Sequence, residues 1–142
     1  MTTESETRQA VPAAFAAIAL AAVSWDGALT MAGSRALRHA LDYRPPFNAW
    51  EDGQMVALLD HLLAELRVKG AQHLMIDAAA VLTDEQRATA YAVAAEIMRS
   101  DGPFQDDEHN ILNNLAVVLG LDSQLVLKIQ SVMNLLHASL EP

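Results

Sequence analysis

Apolar residues recur along this chain at the three- and four-residue spacing of helices, and each run stops at a turn-forming residue. The stretch YAVAAEIMRS places Ala92, Ala95, Ile97 and Met98 at that spacing. DGPFQDDEHN then interrupts, and ILNNLAVVLGL resumes with Ile111, Leu112, Leu115, Val118 and Leu119. Gly102 can adopt the left-handed conformation that ends a helix, and Pro103 blocks its continuation. Asp106 or Gln105 opens the next helix, Asp107 and Glu108 complement its positive end, and Gly120 closes it. The pattern predicts a helical hairpin over residues 84–119.

The same layout occurs earlier. Residues 15–41 run apolar, break at Asp26-Gly27 and resume. Placing Asp26-Gly27 over Asp101-Gly102 also superposes Ala17 on Ala92, Ala19 on Ala94 and Leu37 on Leu112. Two antiparallel hairpins, 12–41 and 84–119, are therefore expected to pack about an approximate two-fold axis.

In chain order, residues 1–11 read as a flexible polar lead, with 12–142 forming one domain. Pro12 suits a first helical position, and the following helix to Val23 is apolar nearly all round, which predicts deep burial. Thr30 caps a second helix ending near Leu41. Asp42-Tyr43-Arg44-Pro45-Pro46-Phe47-Asn48 cannot be helix interior, and Phe47 and Trp50 are expected to pin this connection to the core. A third helix runs from Glu51 or Asp52 to Lys69, with Met55, Leu58, Leu59, Leu62, Leu63 and Leu66 on one stripe. Gly70 stops it. A shorter helix covers residues 71–81, and the capping box Thr83-Asp84-Glu85-Gln86 opens the next. Leu121-Asp122-Ser123 caps a last helix through Leu136 or Ser139. The count is about seven helices and no strand, an all-α class.

Composition narrows the chemistry. The 142 residues contain no cysteine, which removes disulfides, zinc-thiolate sites and a thiol nucleophile. Apolar residues make up 52% but aromatics 5%, so alanine and small aliphatic packing has to supply the core. The longest apolar run is too short and too alanine-rich to span a bilayer, and Met1–Gln9 lacks the basic start of a signal peptide. A cytoplasmic location is expected, with no transmembrane segment. Net charge is −9, and residues 76–142 hold ten acids against three Lys/Arg. Such a field repels nucleic acid and favours cations or a basic protein partner.

The acids concentrate where the second hairpin turns. Glu96, Asp101, Asp106, Asp107 and Glu108 put five carboxylates within thirteen residues. Two readings stand. Converging carboxylate oxygens suit a hard cation, Ca²⁺ or Mg²⁺. The same acids also complement helix ends without any ligand. The loop is not an EF-hand, because Asp106 stands where glycine is needed and Leu112 where glutamate is needed. His109 could add nitrogen for Zn²⁺, a weaker candidate, since the other histidines show no metal-binding spacing. The first hairpin keeps Asp26 but has Ala21, Met31, Ala32 and Gly33 at the remaining acidic positions. Metal candidates are thus Asp101, Glu108, Glu96, Asp107 and Asp26. No nucleophile elbow, phosphate loop or dinucleotide fingerprint occurs, so an enzyme is not expected.

Ala92, Ala94, Ile97, Asp101-Gly102, Glu108, Leu112, Leu115-Ala116 and Leu119-Gly120-Leu121 together resemble the TerB family of tellurite-resistance proteins. The resemblance continues upstream through LTDEQRATAYAVA and downstream to VMNLLHASL, covering most of the chain from about Phe15. It implies an all-helical fold, acidic residues proposed to hold metal ions, and a loose link to tellurite and other stress, with no known reaction. A similar domain fronts a membrane-attached DnaJ-type co-chaperone, which makes a helical protein-interaction module the alternative expectation.

Overall fold

A helical segment without a polar face is stable only when other elements cover it on every side, and residues 14–22 of the first helix are covered in that way. The computed structural model describes residues 4–100 and 102–141, with side chains from residue 10 onward. Helix α1 spans Glu4–Val23, and its residues 14–22 are all buried. It packs most extensively against α4 (Ala71–Ala79) and α5 (Asp84–Arg99). It also touches α2 (Met31–Asp42), α3 (Asp52–Lys69) and α6 (Asp106–Leu119). The last helix, α7 (Ser123–Leu136), lies against α5. The described residues contain seven α-helices, one short 3-10 turn at Phe47–Ala49 and no strand.

The α1–α5 contact explains the alanine content. Ala90, Ala94 and Ala95 of α5 are buried, as are Ala16, Ala17, Ala19 and Ala21 of α1. Short side chains on both surfaces let two helix axes approach closely, where longer ones would hold them apart. Larger residues then fill the margins: Ile18, Leu20, Leu37, Met75, Tyr91, Leu112 and Leu115 are fully enclosed. The helix pair α1–α2 meets the pair α5–α6 through α1 with α5, α2 with α5, and α1 with α6.

Helix starts follow the capping residues. Thr30 Oγ1 accepts from the Gly33 amide at 3.0 Å, and Thr83 Oγ1 from the Gln86 amide at 3.2 Å. The Gln86 side chain returns the bond, its Oε1 accepting from the Thr83 amide at 2.9 Å. Each such bond satisfies a backbone donor that the first turn would otherwise leave unpaired. The connection from α2 to α3 is pinned as expected: Phe47 is buried, and Trp50 meets it edge-on at 5.1 Å between ring centroids. Arg38 then ties the two helices, reaching Asp42 at 3.0 Å and Asp52 at 2.7 Å.

Two boundaries differ from expectation. Helix α1 begins at Glu4, so Pro12 sits inside it and the expected lead at residues 1–11 is helical from residue 4. A proline forfeits one helical hydrogen bond and crowds the carbonyl four residues back, but it does not forbid the turn before it. Pro12 is buried, and that burial offsets the loss. Helix α4 ends at Ala79, not Val81, because the chain tightens there. The amides of Val81 and Leu82 reach back three residues, to Ala78 and Ala79.

Candidate functional site

The turn after α1 and the start of α6 face one another across a cleft. It encloses about 550 Å³. Asp26 contributes from the first turn, Asp107 and Glu108 from the first turn of α6, and Asn110 and Asn114 from farther along α6. Trp25, Ile97, Met98 and Ile111 give it apolar surface. No lysine, arginine or histidine is among its described lining residues.

Local chemistry fixes each element in place. Gly27 has φ +85°, a conformation that glycine reaches without steric cost, and its amide bonds the Ser24 carbonyl at 2.8 Å. Arg67 of α3 donates from Nε to the Gly27 carbonyl at 3.0 Å, holding the turn against the body. Asp26 Oδ1 accepts from the Ala28 amide at 3.1 Å, which orients the carboxylate while leaving it exposed. Across the cleft, carboxylates cap the first turn of α6. Glu108 Oε1 accepts from the Gln105 amide at 2.9 Å, and Asp107 Oδ1 from the Glu108 amide at 3.1 Å. Asn114 donates to Gln72 Oε1 at 3.4 Å, joining α6 to α4.

The structure divides the acids named from sequence. Asp26, Asp107 and Glu108 line one cleft, although Asp26 lies more than eighty residues away along the chain. Glu96 is not part of it. Its Oε1 lies 3.8 Å from His137 Nε2, on the side of α5 that α7 covers. Adjacent residues on a helix point about 100° apart. Thus Ile97 and Met98 enter the cleft while Glu96 does not. Asp101 lies outside the described residues. Among the described residues, no three His, Asp or Glu side chains are grouped closely enough to hold a metal ion. His109 instead packs edge-on against Phe104, at 5.4 Å between ring centroids.

Sequence reasoning missed the apolar and amide part of this lining. A signal was present: Asp107, Asn110, Ile111 and Asn114 fall at i, i+3, i+4 and i+7, one face of a helix. Beside the cleft, between lining residues Val23 and Trp25, Ser24 is fully buried and its hydroxyl has no hydrogen-bond partner. A second, smaller cleft of about 260 Å³ lies near α1 and the proline-rich connection, where Arg44 stands over the Phe15 ring at 5.4 Å. No described helix is long and apolar enough to cross a membrane.

No protein-family model matches this chain, and neither a curated protein nor a solved structure does so.

Proposed function

We propose that this chain is a non-catalytic, cytoplasmic stress-response protein of the TerB type that takes up a divalent cation, Ca²⁺ or Mg²⁺, between two related helical hairpins. One observation carries the reading. A single cleft gathers carboxylates from both turns, Asp26 with Asp107 and Glu108, and no cationic side chain is among its described lining residues. Hard cations take oxygen ligands, and Mg²⁺ in particular keeps several waters while using one or two carboxylates. A partly hydrated ion therefore asks less of the protein than a full cage of side chains. Asp101, by its place between α5 and α6 in the sequence, is a further ligand in this proposal.

The test is a calorimetric titration of chelator-treated protein with Ca²⁺, Mg²⁺ and Zn²⁺. About one site per chain is expected for the hard cations. Glu108→Gln is the informative variant: glutamine can still accept the Gln105 amide bond, so the cap survives while the charge is lost. Asp101→Asn and Glu108→Gln should weaken binding strongly, and Asp26→Asn mildly. Two equivalent sites, or affinity untouched by both α6-side variants, would return these acids to helix capping alone.

A second reading has its own observation. Helix α7 carries Val132, Leu135 and Leu136 on one stripe, 49%, 79% and 62% exposed. An apolar stripe in water supports a helical interaction module, co-chaperone-like and without a metal. Wild-type binding to a protein partner that is abolished by Leu135→Ser and indifferent to chelators would favour it.

A further inference from the structure

We infer that the smaller cleft, between α1, the α2–α3 connection and the start of α5, holds a small apolar carboxylic acid. Its carboxylate lies on Arg44 and its hydrocarbon tail on the apolar floor. This cleft is separate from the one assigned to cations and shares no lining residue with it. It encloses about 260 Å³. Drug-sized ligands occupy roughly 300–1,000 Å³, so an occupant of this cleft is smaller than they are. The floor is apolar because α1 turns the face of Val11, Pro12 and Phe15 toward it, and Phe47 closes it from the connection. Pro12, Phe15 and Phe47 are all buried.

Arg44 points to an anion. Among the described residues no carboxylate pairs with it, unlike Arg38 and Lys69. Its Nε is buried with no hydrogen-bond partner, and Nη2 donates to the Tyr43 hydroxyl at 3.2 Å. Its guanidinium carbon lies 5.4 Å from the ring centroids of both Phe15 and Tyr43. Ring faces attract the cation but supply no lone pair, so the N–H fork still lacks acceptors. Donors buried without an acceptor are costly and rare, which marks the place of a partner. Arg44 is half-buried and lines the cleft, so part of its side chain stays reachable from it. A carboxylate matches the guanidinium fork in geometry and charge. Gln86 adds a second donor: its Oε1 is taken by the Thr83 amide at 2.9 Å, which leaves its amino group to donate. The hydrocarbon is required as well. The chain carries a net charge of −9, and the exposed Glu85 also lines this cleft. A bare anion is therefore disfavoured here, and burial of an apolar tail offsets that repulsion.

The test titrates the full, isotope-labelled chain with 4-methylpentanoate and follows amide chemical shifts. Acetate, 4-methylpentanol and leucine serve as comparisons. Saturable shifts are expected at Arg44, Gln86 and Thr89, which line the cleft. Acetate lacks the tail and should bind about tenfold or more weakly. The alcohol lacks the charge and should bind about fivefold or more weakly. Leucine has the same carbon skeleton with an added ammonium, and should bind no tighter, since that group loses its water against an apolar floor. Arg44→Gln should lower the affinity for 4-methylpentanoate about tenfold. Glu85→Gln should raise it about two- to threefold, by removing an exposed like charge. That second variant decides the matter even where Arg44→Gln fails to fold, because Glu85 is exposed. Acetate or the alcohol binding as tightly as the acid would overturn the inference. So would shifts confined to residues outside the cleft, or affinity unmoved by Glu85→Gln. Leucine binding more tightly than 4-methylpentanoate, and weakened by Glu85→Gln, would also overturn it and give the cleft to a zwitterion.

Discussion

Tyr91 shows how one side chain can serve packing and polarity together. Its ring is fully buried in α5, and its hydroxyl accepts a 2.8 Å hydrogen bond from Gln130 Nε2 of α7. Burial pushes the phenol above its ordinary 10.0, and the Gln130 bond opposes that only in part. The sign of the consequence is fixed. Above that ordinary value the unfolded chain releases the Tyr91 proton while the folded chain keeps it. Stability is therefore full below about pH 10 and lost as pH rises through the higher folded-state value. Urea melts from about pH 9 to 11 should show the decline, and Tyr91→Phe should flatten the part due to this group. The substitution also leaves the Gln130 amide without its acceptor. It should cost on the order of 1 kcal/mol at neutral pH, read from the same melts.

At the level of elements, the α1–α5 contact depends on what its residues lack. Ala94 and Ala95 are both completely buried, with nowhere for a larger side chain to go. Ala94→Phe and Ala95→Phe should each lower stability by about 1–3 kcal/mol in denaturant titrations, through overpacking. Neutral results for both would mean the α1–α5 contact is more accommodating than its alanines imply. Most element boundaries were legible because capping is local. Thr30, Thr83, Gln105 and Asp122 each stand at the residue before their helix, as hydrogen bonding with the next turn requires. The start of α1 was not legible. Pro12 looks like a beginning when only local cost is considered, and the burial that outweighs this cost comes from residues distant in the sequence. The end of α4 was missed for a similar reason, since three-residue bonds at a helix end leave no mark in the apolar pattern.

For the whole molecule, the acids were legible as a run but their grouping was not. Sequence proximity placed Glu96 with Asp107 and Glu108, whereas helix rotation sends it toward His137. Asp26, named from the repeated Asp-Gly break, does share a cleft with Asp107 and Glu108 through packing. Such a grouping exists only in the folded chain, and that makes cation uptake measurable as stability. A ligand held only by the folded state, at about a hundred times its dissociation constant, adds about 2.7 kcal/mol. For a chain of this size that corresponds to a rise in melting temperature on the order of 5–10 °C. Thermal melts of chelator-treated protein with and without Mg²⁺ or Ca²⁺ should show the rise, and Glu108→Gln should remove most of it.

The placement of α1 carries a consequence for how this protein is made. The helix against which five other described helices pack is made before any of those partners. Its partner α5 begins about sixty residues after α1 ends, a delay of several seconds at ordinary rates of translation. Throughout that interval the nascent chain displays an apolar segment with no polar face to turn toward water. Newly made copies are therefore most vulnerable to aggregation before α5 emerges, and α1 is the segment that a chaperone would have to shield.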